Sequence, residues 1–155
     1  RPFMTNDDVI QLEDHYRWFE SVEKDPSKLV KLCFYQEKPI GLVNFSQIDA
    51  KNKTCEWGFY IGDKSCPIGS GKIMGILALD FLFKERQMRK LCAQILDFNR
   101  KSLSYHKKLG FTEEGRLVKQ LLKNNQYVDV VLMGLFKEQW EQQSEFLKEE
   151  VLKSK

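Results

Sequence analysis

The stretch from Cys55 to Leu96 constrains the fold of this 155-residue chain more than any other. Cys55, Trp57, Phe59 and Ile61 alternate with Glu56, Gly58 and Tyr60, the two-residue period of a strand with unlike faces. A loop from Gly62 to Gly71 then opens a strongly apolar helix over residues 73 to about 86. Its Ile, Met, Leu and Phe side chains cover most of its circumference, as in a helix packed on a sheet. Residues 90–96 read as the next strand. A strand–helix–strand unit placed among other strands predicts a mixed sheet with helices on its faces.

The neighbouring segments fit that plan. Residues 29–35 and 40–48 are β-rich runs around a turn at Glu37-Lys38-Pro39, a hairpin by composition, and the polar run from Asp49 to Lys53 turns the chain into the Cys55 strand. Residues 99–109 predict a helix stopped by Gly110, where a left-handed cap residue is expected. Residues 111–122 and 127–136 predict a second hairpin around Lys123-Asn124-Asn125-Gln126. A charged C-terminal helix, 137–155, carries Trp140, Phe146, Leu147 and Val151. At the front, Val9, Leu12, Tyr16, Phe19 and Val22 recur every three or four residues, which predicts an amphipathic helix over 7–23 with Thr5, Asn6 and two Asp residues at its start. The whole reads as one domain of class α/β (α+β), with no internal repeat and no linker.

Composition narrows the function. With 42% apolar and 30% charged residues the chain has enough material for a core, which excludes disorder. There is no run of apolar residues long enough to span a membrane and no charged-then-apolar leader, so a cytoplasmic protein without a membrane partner is expected. A net charge of +3 is too small and too evenly spread to argue for nucleic acid. Cys33, Cys55, Cys66 and Cys92 form no Cys-x-x-Cys pair and have no His at ligand spacing, so no metal site is expected. Reduced cysteines in strand-like runs act as small hydrophobes, which suits a reducing compartment.

Cys66-Pro67-Ile68-Gly69-Ser70-Gly71-Lys72 lies between a strand and a helix. Amides at a helix start have no intrahelical partner and carry the positive end of the macrodipole, so glycines that allow close approach make a cradle for pyrophosphate, with Lys72 adding charge. The spacing is not that of a nucleotide P-loop, and the third glycine of a dinucleotide fingerprint is absent.

This Gly-x-Gly resembles the acetyl-CoA pyrophosphate loop of the GNAT N-acetyltransferases, Gln/Arg-x-x-Gly-x-Gly/Ala, with Cys66 in place of the first Gln or Arg. A second segment, Asn99-Arg-Lys-Ser102-Leu-Ser-Tyr105-His106-Lys-Lys108-Leu-Gly110-Phe111, is similar to the superfamily's Asn-x-x-Ser/Ala helix ending in Lys-x-Gly-Phe. The resemblance implies the GNAT fold, a mixed and mostly antiparallel sheet with a splayed strand pair and helices on both faces. It implies acetyl-CoA as co-substrate. It also implies that this chain, which begins at Arg1, lacks the first strand and part of the first helix. Phe3-Met4, the stretch Leu12-Glu-Asp-His15-Tyr-Arg-Trp18-Phe19, and Glu114-Gly115-Arg116 with Tyr127-Val-Asp129 resemble the pseudaminic-acid pathway acetyltransferases. Those act on the 4-amino group of UDP-4-amino-4,6-dideoxy-N-acetyl-β-L-altrosamine. Ribosomal-protein N-terminal and polyamine acetyltransferases share part of the pattern, and a catalytically silent acyl-CoA-binding domain is the alternative of a different class.

From the resemblance follow the residue roles. Phe59, Tyr60 and Ile61 would meet the pantetheine arm and thioester through main chain, and Cys66, Gly69, Ser70, Gly71 and Lys72 would form the pyrophosphate loop. Asn99 and Ser102 would face the pantetheine arm, with Lys108 near the nucleotide end. The proton for the leaving thiolate usually comes from a Tyr seven positions after the Asn. Here that position is His106 and the Tyr is one earlier, Tyr105, about 100° away around a helix; register favours His106. Glu56 and His15 compete as the base that deprotonates the amine, with His15, Trp18, Phe3 and Met4 on the acceptor side. An apolar ridge on the last helix, or an edge strand, could pair two copies into a homodimer.

Overall fold

Alternating inward and outward side chains shape the strands in the computed structural model, whose described residues are 16–21, 24–62 and 69–153. β1 (Tyr16–Ser21), β2 (Leu29–Tyr35), β3 (Lys38–Asp49) and β4 (Thr54–Ile61) run antiparallel in sequence order. β5 (Lys90–Leu96), β6 (Thr112–Lys123) and β7 (Gln126–Phe136) complete a seven-stranded sheet in the order β1-β2-β3-β4-β5-β7-β6. Three helices are described: α1 (Ser70–Asp80), which runs on into a π-helical turn at Phe81–Glu85, α2 (Arg100–Leu109) and α3 (Lys137–Lys153). Because α1 is a crossover, β4 and β5 are parallel, whereas every other described pair is antiparallel.

The β4–β5 pair is the feature that positions the site. It is in register only at Thr54↔Lys90, Cys55↔Leu91 and Glu56↔Cys92. Beyond Glu56 the strands separate: β4 continues to Ile61 paired with β3 alone, and β5 continues to Leu96 paired with β7 alone. A wedge thus opens toward the C-terminal ends of both strands, and the expected mixed, mostly antiparallel sheet with one splayed pair is what the chain forms.

α1 and α2 cover the face of the sheet that carries Phe45 and Trp57. Phe81, just past α1, lies 6.2 Å from Phe45 between ring centroids, and His106 of α2 lies 5.8 Å from Trp57. Nearly all of α1 is buried, as its apolar circumference requires. Gly75 lets α2 approach, since a Cβ there would collide with the Tyr105 hydroxyl. α3 packs on α1 through a polar knot: Trp140 Nε1 donates to Asp80 Oδ1 at 2.9 Å, and the Lys148 ammonium, 2% exposed, sits 2.5 Å from Asp80 Oδ2. On the opposite face, Asn44, Gly58 and Tyr60 are exposed among the described residues. Any helix on that face would have to come from outside them.

The predicted helix over 7–23 is corrected in its second half. Tyr16–Ser21 is a strand, paired from Tyr16↔Tyr35 to Ser21↔Val30. Phe19, which fits the helical period, is 63% exposed, while Tyr16 is 1% exposed and Trp18 packs on the core. Tyr, Trp and Phe in close succession favour a pleated surface, and the edge of β2 supplies the partner that lets a two-residue alternation prevail. Residues 7–15 of that prediction lie outside the described residues. The predicted helix at 73 instead begins at Ser70, one turn earlier, because Gly69 takes φ 92° and ends the loop there.

Candidate active site

The open end of the wedge gathers three kinds of group. The first is main chain. Past Glu56, the β4 backbone groups directed toward β5 have no partner on that strand, and Phe59, Tyr60 and Ile61 form this free edge. The Phe59 ring rests between Trp57 and Tyr105, at 5.8 and 5.3 Å.

The second is the N-terminus of α1. Ile73 N–H closes the first helical bond on Gly69 O at 3.1 Å, so the N–H groups of Ser70, Gly71 and Lys72 lie at the positive end of the helix. The Ser70 hydroxyl faces inward, 3.0 Å from Tyr16 Oη. What Ser70 offers a ligand is therefore its amide. Lys72 Nζ donates to Glu150 Oε2 of α3 at 3.1 Å. Cys66 lies outside the described residues.

The third is α2, whose N-terminal end points at the same opening. Asn99 Oδ1 accepts the Ser102 N–H at 3.1 Å, so its side chain caps the helix. Arg100, Lys101, Ser104, Tyr105 and Lys108 line a cavity of about 470 Å³ together with Lys72. The family pattern places Lys108 at the nucleotide end but says nothing of Arg100 and Lys101. Arg100, Ser104 and Lys108 recur every four residues, with Lys101 and Tyr105 beside them, and that shared helical face is the signal that finds them.

His106 and Tyr105 are separated clearly. His106 is 6% exposed, and its Nε2 accepts the Trp57 indole N–H at 3.0 Å. Its Nδ1 lies 2.7 Å from the Ser102 carbonyl oxygen, which can only accept, so the ring is the neutral Nδ1–H tautomer with both nitrogens engaged. Burial lowers its pKa, against the opposing hydrogen bond to Ser102. This geometry goes against His106 as a proton donor; it is a core histidine that satisfies Trp57. Tyr105 donates its hydroxyl to Gly71 O at 2.7 Å, and burial holds its pKa well above the usual tyrosine value, so it keeps its proton.

The His106 arrangement makes stability depend on pH. Because the folded-state pKa lies below the ordinary 6.5, the unfolded chain takes up the proton first. Stability is complete above about 6.5 and declines as pH falls from there to the lowered value. Melting curves between about pH 7.5 and 5.5 should show a fall in wild type that His106→Gln flattens, since glutamine can still accept from Trp57 without titrating.

Glu56 occupies the last paired position before the wedge, on the face turned away from Trp57, and accepts from Gln94 Nε2 at 3.0 Å. Neighbouring Cys55 is buried, and burial, reinforced by Cys92, pushes its thiol up to about 12, which removes it as a nucleophile. Trp18 lies on the edge strand with the Lys31 ammonium 5.7 Å from its ring, three strands from the wedge. Phe3, Met4 and His15 fall outside the described residues. Among the described residues no group of three or more His, Cys, Asp and Glu could hold a metal, and no helix is long and apolar enough to cross a membrane.

A strand edge freed for hydrogen bonding, ending at a helix N-terminus beside a basic cavity, suits an extended molecule with phosphate at one end, which is the character of an acyl-CoA. The comparisons agree. Residues 1–132 match the family model described as an acetyltransferase (GNAT) domain, and the chain belongs to the GNAT acetyltransferases. It is 30% identical over 124 residues to the prophage-derived N-acetyltransferase YokL of Bacillus subtilis, covering 79% of this chain and 68% of that protein. It is 30% identical over 103 residues to the acetyltransferase PseH of Campylobacter jejuni, covering 66% and 63%. With the spermidine N(1)-acetyltransferase of Vibrio cholerae it shares 27% over 110 residues, covering 71% and 64%. The chain thus spans about two thirds of the length of each. A solved structure of a mutant spermidine N-acetyltransferase from Vibrio cholerae superimposes with a TM-score of 0.73 at 25% identity, over 79% of this chain and 72% of that one.

Proposed function

We propose that this chain transfers acetyl from acetyl-CoA to the 4-amino group of a UDP-linked 4-amino-4,6-dideoxy sugar, by direct attack in a ternary complex. The observation that carries the acetyl-CoA part is the wedge itself, with the α1 N-terminus at its mouth. The acceptor rests on the resemblance to pseudaminic-acid pathway enzymes and on the similarity to PseH.

Bound acetyl-CoA supplies an activated acyl group as a thioester. The residues do the rest. The free main-chain N–H groups of β4 are donors for the thioester oxygen, and the amides of Ser70, Gly71 and Lys72 hold pyrophosphate. Glu56 takes the proton of the attacking amine, directly or through a water, as the new N–C bond forms and the C–S bond breaks. Tyr105 gives its proton to the departing thiolate by turning its hydroxyl away from Gly71 O, a rotation that leaves the ring in place. Inert Cys55 is consistent with transfer that passes through no acyl-enzyme. His15, Phe3 and Met4 keep their proposed place on the acceptor side.

The second reading, polyamine acetylation, is favoured by the similarity to spermidine acetyltransferases. Steady-state assays with acetyl-CoA and either the UDP-4-amino sugar or spermidine separate the two. The sugar nucleotide should be turned over, and removing its UDP should abolish acetylation. Turnover of spermidine alone would overturn the acceptor while sparing the chemistry, and binding of acetyl-CoA with no turnover of any amine would point to a silent domain.

A further inference from the structure

Lys72 is the cation of the phosphate loop, yet its ammonium is already held by Glu150. α3 presents that carboxylate from a fixed position. Two residues before it Lys148 is locked against Asp80, and the adjacent Val151 is buried, so the backbone beneath Glu150 cannot move away from α1 without breaking those contacts. On the other side of Lys72, Arg100, Lys101 and Lys108 line the same cavity, and none of the three has a carboxylate partner among the described residues. Four like charges around one space repel one another, and Glu150 pairs with one of them, Lys72, in the free protein.

We propose that Glu150 is an internal counter-anion of the phosphate site: it occupies Lys72 until a phosphate of the co-substrate replaces it, and it thereby sets the affinity for coenzyme A. The proposal rests on the acetyl-CoA reading above. When phosphate arrives, the Glu150 carboxylate changes from the partner of Lys72 to a like-charged neighbour of the ligand. Binding must break one ion pair and work against one repulsion, and both effects weaken it. The arrangement would hold an empty site free of stray anions and would disfavour ligands with too little negative charge to displace a carboxylate.

Calorimetric titration with coenzyme A of wild type, Glu150→Gln, Lys72→Ala and the double variant tests this. Neither side chain belongs to the core, so these variants are expected to fold. Glu150→Gln should bind about three- to tenfold more tightly at low salt, with the gain shrinking as ionic strength rises. Lys72→Ala should bind more weakly, and adding Glu150→Gln to it should give a smaller gain than in wild type, because the ion-pair part is already gone and only the repulsion by Glu150 is left to relieve. Unchanged or weaker binding by Glu150→Gln overturns the proposal, as does a gain that persists in full without Lys72. In both cases wild type still binds coenzyme A, so the acetyl-CoA reading survives; absence of binding by wild type would remove that reading and this one together.

Discussion

Asp80→Ala is expected to lower the melting temperature by roughly ten degrees, the largest stability loss that a single polar substitution outside the apolar core should produce. Asp80 accepts from Trp140 and pairs with Lys148, and Lys84 approaches it at 3.6 Å. Burial works against the charge on Lys148, but Asp80 and then Glu145 more than offset it and hold its pKa above the ordinary lysine value. Without Asp80 the ammonium stays buried with only Glu145, 3.5 Å away and half-exposed, to face it. Breaking a buried pair in this way costs about 3–5 kcal/mol, whereas replacing the long cation with an apolar side chain of similar volume costs far less. Lys148→Met should accordingly be much milder, because Asp80 keeps Trp140 and Lys84. Thermal melts of the two variants check the asymmetry; equal losses would mean that the knot contributes packing alone.

Tyr105→Phe should lower kcat about 100-fold with little change in KM for acetyl-CoA, the loss expected when a positioned proton donor is removed. The substitution keeps the ring against Phe59 and deletes only the hydroxyl and its bond to Gly71. If that hydroxyl did no more than tie α2 to α1, melting temperature would fall and kcat would stay near wild type. An unchanged kcat would sink the assignment.

The segments from Leu29 onward are largely legible because their signals are local. Alternation marks β4, Gly110 ends α2 in the left-handed conformation at φ 108°, and Asn124 and Asn125 take the positive φ values of a tight hairpin turn. What escapes the sequence depends on partners far away in it. His106 reads as an acid from register alone, and only the Trp57 indole, 49 residues distant, shows that its lone pair is committed. Lys72 reads as a free phosphate ligand until Glu150, 78 residues later, is found beside it. β1 is hidden for a related reason: the strand it needs as a partner comes after it, and its own residues fit two periods at once. The helix start at Ser70 is therefore readable, while the state of the side chains around it is not.

The short parallel contact between β4 and β5 has a mechanical meaning for the domain. Among the described residues, three residue pairs and the Arg89 and Lys90 N–H groups on Lys53 O join one half of the ladder, β1 to β4, to the other, β5 to β7. In main-chain terms the protein is two curved plates stitched along a brief seam, and α1 and α2 lie across that seam like a splint. Cooperativity between the halves is then carried by side chains such as Trp57, His106 and Tyr105 more than by backbone hydrogen bonds. A ligand entering the wedge would bridge the plates where the ladder is thinnest, so that occupancy and rigidity of the whole sheet rise together.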